Sequence, residues 1–308
     1  MRIVFMGTPD FAVPSLEILV KNNFDVVGVV TSPDKPAGRG MHLQKSAVKI
    51  AAEKLGLKIL QPEKLKSEIF LNELKSLRAD LQIVVAFRML PEVVWNMPPL
   101  GTFNLHTSLL PNYRGAAPIN HAIINGEKET GVTTFFLQHE IDTGKIIMSE
   151  KIFIGENMNA GELHDALMPL GAELVLKTVR AIESKTVSPT EQKFVGELKT
   201  APKIFKENCL INFNQPTEKI HNFIRGLSPH PAAYTTVDGK ILKIFKSEKE
   251  IAAHNLQEGI FQTNGKTFLK VSTADGFIHL KEIQLEGKKK METDEFLRGH
   301  GRVFSILP

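Results

Sequence analysis

The chain is poor in cysteine: Cys209 is the single one in 308 residues. That excludes an intrachain disulfide, suits a reducing compartment, and leaves the thiol expected as a small buried hydrophobe. Long apolar runs are missing too, none approaching the ~18–20 residues of a membrane-spanning helix. The start, Met1-Arg2-Ile3-Val4-Phe5-Met6-Gly7, is too short in apolar residues for a signal peptide and reads as a first buried strand. A cytoplasmic protein without a membrane partner is expected. Charge of one sign is scarce: the formal net charge is +4. From Ile204 onward 15 basic residues face 12 acidic ones, so the excess gathers in the last third. That is compatible with a polyanion partner without establishing one. Missing motifs narrow the chemistry further. His106, His121 and His139 form no H-x-x-x-H or H-E-x-x-H spacing, and one cysteine cannot build a zinc knuckle, so no metal is expected. Ser108 lies in no G-x-S-x-G elbow. The turn after the first strand, Gly7-Thr8-Pro9-Asp10-Phe11-Ala12, lacks G-x-G-x-x-G, which argues against a dinucleotide there. Internal repeats and low-complexity segments are absent.

The length suggests about two domains of roughly 150 residues each. Short apolar runs at Ile3–Met6, Val26–Val30 and Leu81–Ala86, a shorter stretch at Lys58–Leu60 and the alternating stretch Thr102–His106 predict strands of a parallel sheet. Between them, periodic segments after Pro9-Asp10, at Ala47–Leu55 and at Leu65–Leu77 predict helices. Such alternation implies βαβ units in a Rossmann-like layer. Val132–Leu137 and Lys145–Ile152 predict a strand pair with Asp142-Thr143-Gly144 in its connection. A long helix from Ala160 to Ile182 follows, and the polar stretch Ser184–Lys203, with Pro189 and Pro202, reads as a linker. Beyond it a helix at Glu218–Arg225 precedes short strands at Ala233–Val237, Lys240–Phe245, Gly259–Gln262, Thr267–Ser272 and Phe277–Leu285. Asp238-Gly239 and Asn264-Gly265 are hairpin signals among them. The expected division is 1–183 as a catalytic domain, 184–203 as linker and 204–308 as a small β-barrel domain.

One stretch carries most of the chemistry: Asn104-Leu105-His106-Thr107-Ser108-Leu109-Leu110-Pro111, continuing through Asn112-Tyr113-Arg114-Gly115-Ala116-Ala117-Pro118. On a strand Asn104 and His106 share a face, because side chains repeat every second residue. A carboxamide N–H and an imidazole side by side suit a developing oxyanion. Pro111, Gly115 and Pro118 then break the chain into a loop able to offer backbone groups to a small ligand. A carboxylate at Asp142 could orient His106 and stabilise its charged form. Taken singly, each has an ordinary reading: a structural histidine, a strand-end asparagine, a turn aspartate.

The pattern N-L-H-x-S-L-L-P-x-Y-R-G-A-A-P followed by I-D-T-G resembles the folate-dependent formyltransferases. So do Gly7–Ala12, Ser32-Pro33-Asp34-Lys35-Pro36-Ala37-Gly38-Arg39-Gly40, Ile224-Arg225-Gly226-Leu227-Ser228-Pro229-His230-Pro231-Ala232 and Gly287-Lys288-Lys289, so that the resemblance runs over nearly the whole chain. It implies a Rossmann-like formyltransferase domain followed by an OB-like β-barrel. It implies a formyl donor, 10-formyltetrahydrofolate, and an acceptor, the α-amino group of methionine on initiator tRNA; separately, a monomer is expected. Asn104, His106 and Asp142 fall on the catalytic positions, and Ser108, Leu109, Leu110 and Pro111 on the loop lining the folate site. Arg39, in the Pro- and Gly-rich loop Thr31–Leu43, falls where an arginine meets the tRNA acceptor end. Lys288, Lys289 and Lys290 are either phosphate contacts or a solvated turn. Two stretches depart from the family. Ala86-Phe87-Arg88-Met89-Leu90-Pro91 is one residue short beside the pterin pocket, with Arg88 near a usual glycine, and Met41-His42 stand where lysines are common. A transferase acting on a small amine would share the first half of this pattern; the C-terminal β-domain and the basic loop favour tRNA. A non-catalytic RNA-binding protein with a decayed enzyme domain would not be expected to keep Asn104, His106 and Asp142 together.

Overall fold

A computed structural model describes residues 1–37, 42–193 and 196–300. The chain forms two compact units. One comprises Met1–Gly115, Thr130–Ile152 and His164–Thr200; the other comprises Ala116–Glu129, Phe153–Leu163 and Ala201–Pro308.

The first unit is built on a seven-stranded sheet. Its strands are β1 (Arg2–Gly7), β2 (Asp25–Val30), β3 (Ile59–Leu60), β4 (Leu81–Val85), β5 (Thr102–His106), β6 (Glu129–Phe136) and β7 (Ile146–Phe153). Their order is β7-β6-β5-β4-β1-β2-β3. From β3 through β5 all neighbours are parallel, and β6 joins β5 antiparallel. Helices α1 (Val13–Lys21), α2 (Ala47–Lys54), α3 (Glu68–Ser76) and α4 (Glu92–Trp95) lie in the connections of the parallel strands. Helix α5 (Pro118–Ile124), which precedes β6 in the chain, belongs to the second unit, and α6 (Ala160–Glu183) follows β7. The apolar run Ile3-Val4-Phe5-Met6 is fully buried, as a central parallel strand covered on both faces requires. At Gly7 an added Cβ would lie 2.8 Å from the Ala12 Cβ and 3.0 Å from the Val85 carbonyl, so the first turn closes directly onto β4. The helix expected from Pro9-Asp10 starts instead as a 3-10 turn over Asp10–Ala12, and α1 follows from Val13. This is a Rossmann-like α/β layer with an antiparallel edge.

The second unit holds α7 (Thr217–Leu227), strands β8 (Ala233–Val237), β9 (Lys240–Ile251), β10 (Phe261–Thr263), β11 (Leu269–Ser272), β12 (Gly276–Leu285) and β13 (Met291–Glu292), and α8 (Thr293–His300). The sheet order is β8-β9-β12-β11-β10, with β13 beside β12, and each pairing is antiparallel. Asp238 and Gly239 both take positive φ, 48° and 72°, the geometry of the hairpin turn expected there. Strand β9 runs six residues past the expected Phe245 to Ile251. Register breaks around Lys246 restart its alternation, and the added stretch Lys246-Ser247-Glu248-Lys249-Glu250 is polar because its charges pair across the sheet. Leu242, Ile244, Ile278, Leu280, Ile283 and Phe296 form the core of this unit. Cys209 is buried there, and burial followed by Glu207 pushes its thiol above the ordinary value, consistent with an inert hydrophobe.

The motif Ile224-Arg225-Gly226 has a packing reason. An added Cβ at Gly226 would lie 2.6 Å from the Ile124 side chain, so the glycine lets α7 pack directly on α5. Arg225 is buried and donates to the Met158 carbonyl at 2.8 Å and to Asn222 Oδ1 at 2.8 Å.

Candidate active site

Strand β5 carries the first two candidate residues at the carboxyl edge of the sheet. Its register places Asn104 opposite Phe135 and His106 opposite Thr133 on β6. Leu105, between them, faces α6: a Cβ added at Gly171 would lie 2.7 Å from its Cδ2. Thr134, the partner of Leu105, bonds Thr178 of α6 at 2.8 Å, confirming which face the helix covers. Asn104 and His106 therefore share the opposite face, as the alternation requires. Asn104 is half-buried, and its carboxamide has no hydrogen-bond partner among the described residues. His106 is 6% exposed, with its ring edge-on to Phe135.

The loop after β5 fixes the imidazole. His106 Nε2 lies 2.8 Å from the Tyr113 carbonyl. A carbonyl only accepts, so Nε2 carries the proton and Nδ1 is left to face the site. Tyr113 takes a left-handed φ of 61° and donates its own N–H to the Lys199 carbonyl at 2.6 Å. Nδ1 lies 4.0 Å from Asp142 Oδ2, close enough for charge stabilisation but beyond a hydrogen bond. Asp142, at φ 54°, also accepts from the Gly115 N–H at 3.0 Å through Oδ2. The turn closes tightly: a Cβ at Gly144 would lie 1.7 Å from the Phe136 carbonyl, so no other residue fits. The three expected residues thus converge in one place, from β5 and from the β6–β7 connection.

Two residues that the motif does not single out hold this place together. Thr133 donates to the Ser108 carbonyl at 2.7 Å and accepts from the Leu110 N–H at 3.3 Å, tying the loop to β6. Gln192, in the polar stretch 184–203, donates to the carbonyls of Asp142 and Gly144 and accepts from Arg114. Nothing local marks either residue; Thr133 merely continues an alternating strand, and Gln192 sits in a stretch without periodicity.

The expected folate loop divides. Ser108 is fully buried, its hydroxyl donating to the Asn112 carbonyl at 2.7 Å, so it shapes the loop from within. The Leu109 side chain lies against Gly131, where an added Cβ would approach it to 2.6 Å. Leu110 is buried, and Pro111 follows it through a cis bond. At the family departure, Arg88 donates to the Glu63 carbonyl at 3.0 Å and to the Pro62 carbonyl, fastening the segment that leaves β3. Arg39 and Met41 lie outside the described residues. The root of their loop is described. Asp34 accepts from Lys49 at 2.5 Å and from Gln61 at 2.8 Å, and those two bonds hold its carboxyl below the ordinary carboxylate value. Lys290 pairs with Glu282 at 3.0 Å, whereas Lys288 and Lys289 have no ion pair among the described residues. Among the described residues no group of three or more histidine, cysteine or acidic side chains could hold a metal ion.

Residues 1–179 match the family model described as formyl transferase, and residues 203–301 match the formyl transferase C-terminal domain. The chain is 58% identical over 307 residues to the methionyl-tRNA formyltransferase of Bacteroides thetaiotaomicron, covering 97% of this chain and 95% of that protein. It is 57% identical to the methionyl-tRNA formyltransferase of Parabacteroides distasonis, covering 98% and 97%. A solved N-formyltransferase from Helicobacter canadensis, complexed with folinic acid and dTDP-3-aminofucose, superposes with a TM-score of 0.65 at 23% identity, covering 94% of this chain and 99% of that one. HypX from Aquifex aeolicus, complexed with tetrahydrofolic acid, gives 0.64 at 19%, covering 100% and 48%. At those identities the likeness is one of fold.

Proposed function

This chain belongs to the formyl transferase family, and from that membership we propose that it transfers the formyl group of 10-formyltetrahydrofolate to the α-amino group of methionine on initiator methionyl-tRNA. Identity above one half, over nearly the full length of relatives that carry that name, is the observation that carries this acceptor. In the reaction the neutral amine attacks the formyl carbon and a carbon–nitrogen bond forms. The carbonyl oxygen becomes an oxyanion, and collapse then breaks the bond to the folate nitrogen. That nitrogen leaves with a proton, and the amine gives one up, so the products are formyl-methionyl-tRNA and tetrahydrofolate.

The free carboxamide of Asn104 and Nδ1 of His106 serve as the oxyanion donors, each worth about 3–4 kcal/mol when pre-aligned. With Nε2 committed to Tyr113, His106 donates from Nδ1 only as the imidazolium, with the Asp142 carboxylate 4.0 Å from that nitrogen. The same Nδ1 proton passes to the departing folate nitrogen, and Asp142 takes the amine proton through water. Residues Ser108–Pro111 form the folate wall, chiefly through backbone. The loop Thr31–Leu43, with Arg39, meets the tRNA acceptor end. The second unit orients the tRNA through phosphate contacts that include Lys288–Lys290. An OB-like closure of its sheet belongs to the same reading, supported by the bulged bend in β9. The protein works as a cytoplasmic monomer.

The test offers purified protein 10-formyltetrahydrofolate with methionyl initiator tRNA, and separately with amino-sugar nucleotides. Formylation of the tRNA alone is expected. Turnover confined to a small amine would overturn the acceptor and leave the formyl transfer standing.

A further inference from the structure

The side chain of Gln192 joins the two backbone segments that deliver Asp142 to its place. Its Nε2 donates to the Asp142 carbonyl and to the Gly144 carbonyl, both at 2.8 Å. Its Oε1 accepts from Arg114 at Nε, 3.1 Å, and at Nη2, 2.6 Å. The amide's orientation is unambiguous: a guanidinium has only donors and backbone carbonyls only acceptors, so a flipped amide would lose all of these bonds. Gln192 is itself anchored. Thr190 exchanges both backbone hydrogen bonds with Ile146, at 2.8 and 2.9 Å, and Glu191 pairs with Lys145 at 3.2 Å.

The consequence lies in what the two joined segments hold. Arg114 precedes Gly115, whose N–H donates to Asp142 Oδ2 at 3.0 Å. Asp142 sits at φ 54°, a left-handed backbone unfavourable for a residue with a Cβ, so surrounding bonds must maintain it. One clip therefore fixes the carbonyl side of Asp142 against the segment that grips its carboxylate. That in turn sets the 4.0 Å gap between Oδ2 and His106 Nδ1. We propose that Gln192 is a positioning residue for formyl transfer, acting through Asp142 by tying the Arg114–Gly115 segment to the Asp142–Gly144 turn. This rests on the catalytic reading of Asp142 above.

The test is a double-mutant cycle on the full chain, with kcat, both KM values and the melting temperature read for each protein. Gln192→Ala is expected to lower kcat about tenfold, to leave KM for 10-formyltetrahydrofolate and for tRNA within about twofold, and to add less than about twofold in an Asp142→Ala background, because groups acting as a unit are non-additive. Gln192→Glu keeps the size and the acceptor for Arg114 but loses the donor to both carbonyls. It is expected to remain impaired in kcat, and it carries the comparison if the alanine variant folds poorly. Full activity in either variant, or the same fold loss with and without Asp142, would overturn the proposal. An Asp142→Ala enzyme with undiminished kcat would instead overturn the catalytic reading of Asp142, a separate outcome.

Discussion

At His106 the carbonyl of Tyr113 fixes the tautomer, so under the proposed mechanism the donation to the oxyanion and the proton for the leaving nitrogen would both fall to Nδ1, the nitrogen 4.0 Å from Asp142. That single nitrogen can serve in sequence because the steps follow one another: it donates a hydrogen bond as charge develops and releases the proton as the folate nitrogen departs. Asn104 has the simpler task. Its half-buried carboxamide has no hydrogen-bond partner among the described residues, so in the proposed role it would have no bond to break when the oxyanion forms. Asn104→Ala, His106→Ala and Asp142→Ala are each expected to lower kcat by about 10²-fold or more with folding intact, since they stabilise charge that exists chiefly in the transition state. The activity of the intact enzyme should fall on the acid side, as the substrate amine protonates and loses its nucleophilic lone pair. Single-turnover rates measured across pH check that limb. Near-wild-type turnover in a folded His106→Ala protein would sink the mechanism.

At the scale of elements, the legible parts were those where one physical signal dominates. Apolar runs disclosed β1, β2 and β4, because a parallel sheet covered on both faces tolerates little else, whereas β5 showed itself by alternation. Asp238-Gly239 disclosed a hairpin through its φ requirement. The run N-L-H and the D-T-G turn were legible because side-chain alternation and a forced glycine constrain sequence locally; at Gly144 the Phe136 carbonyl enforces the residue. Gln192 and Thr133 were not legible, since their partners lie far off in the chain and nothing local marks either as part of the site. The second half of β9 was hidden for another reason: its charges are neutralised across the sheet, which a single strand cannot reveal. Helix α7 likewise hides a titrating group. His221 is buried, its Nδ1 bonded to Ser247 at 3.0 Å and its Nε2 unpartnered. Burial, with Lys249 and Arg225 nearby, pushes its pKa down to about 4 against the partial opposition of Glu218. The folded state therefore binds this proton less readily than the unfolded chain. Its contribution is fully present above the unfolded value of 6.5 and is lost as pH falls toward 4. The loss should reach about 2 kcal/mol by pH 5. Urea unfolding at pH 7 and pH 5 checks it, and His221→Gln should remove most of that difference. An unchanged pH dependence in the variant would mean that other groups, such as Glu156 and Glu218 paired with Lys249, account for it.

For the whole molecule the question is how a chain of formal charge +4 holds a polyanion. Part of the second unit's positive charge is already matched. Lys249 pairs with Glu156 and Glu218, Lys270 with Glu250, and Lys281 with Glu248. Lys290 pairs with Glu282 at 3.0 Å and lies over the Phe245 ring at 5.1 Å. A cation held by its own carboxylate must leave that partner before it can replace a counterion on a phosphate. Lys288 and Lys289, exposed beside the left-handed Gly287 turn, carry no such pair among the described residues. Counterion release makes affinity fall with log salt at a slope near −0.7Z to −0.9Z for Z neutralised phosphates. Replacing Lys288 and Lys289 together by glutamine should therefore flatten the slope of tRNA binding by up to about two units of Z. Lys290→Gln should change it less, because its charge is already matched by Glu282. kcat at saturating tRNA should hold in all of them, since Asn104, His106 and Asp142 belong to the first unit. Salt titrations of tRNA affinity for wild type, the double variant and Lys290→Gln decide the matter. Superimposable slopes would leave Lys288 and Lys289 as a solvated turn, and a full unit of Z lost with Lys290 would show that the pair with Glu282 opens on binding.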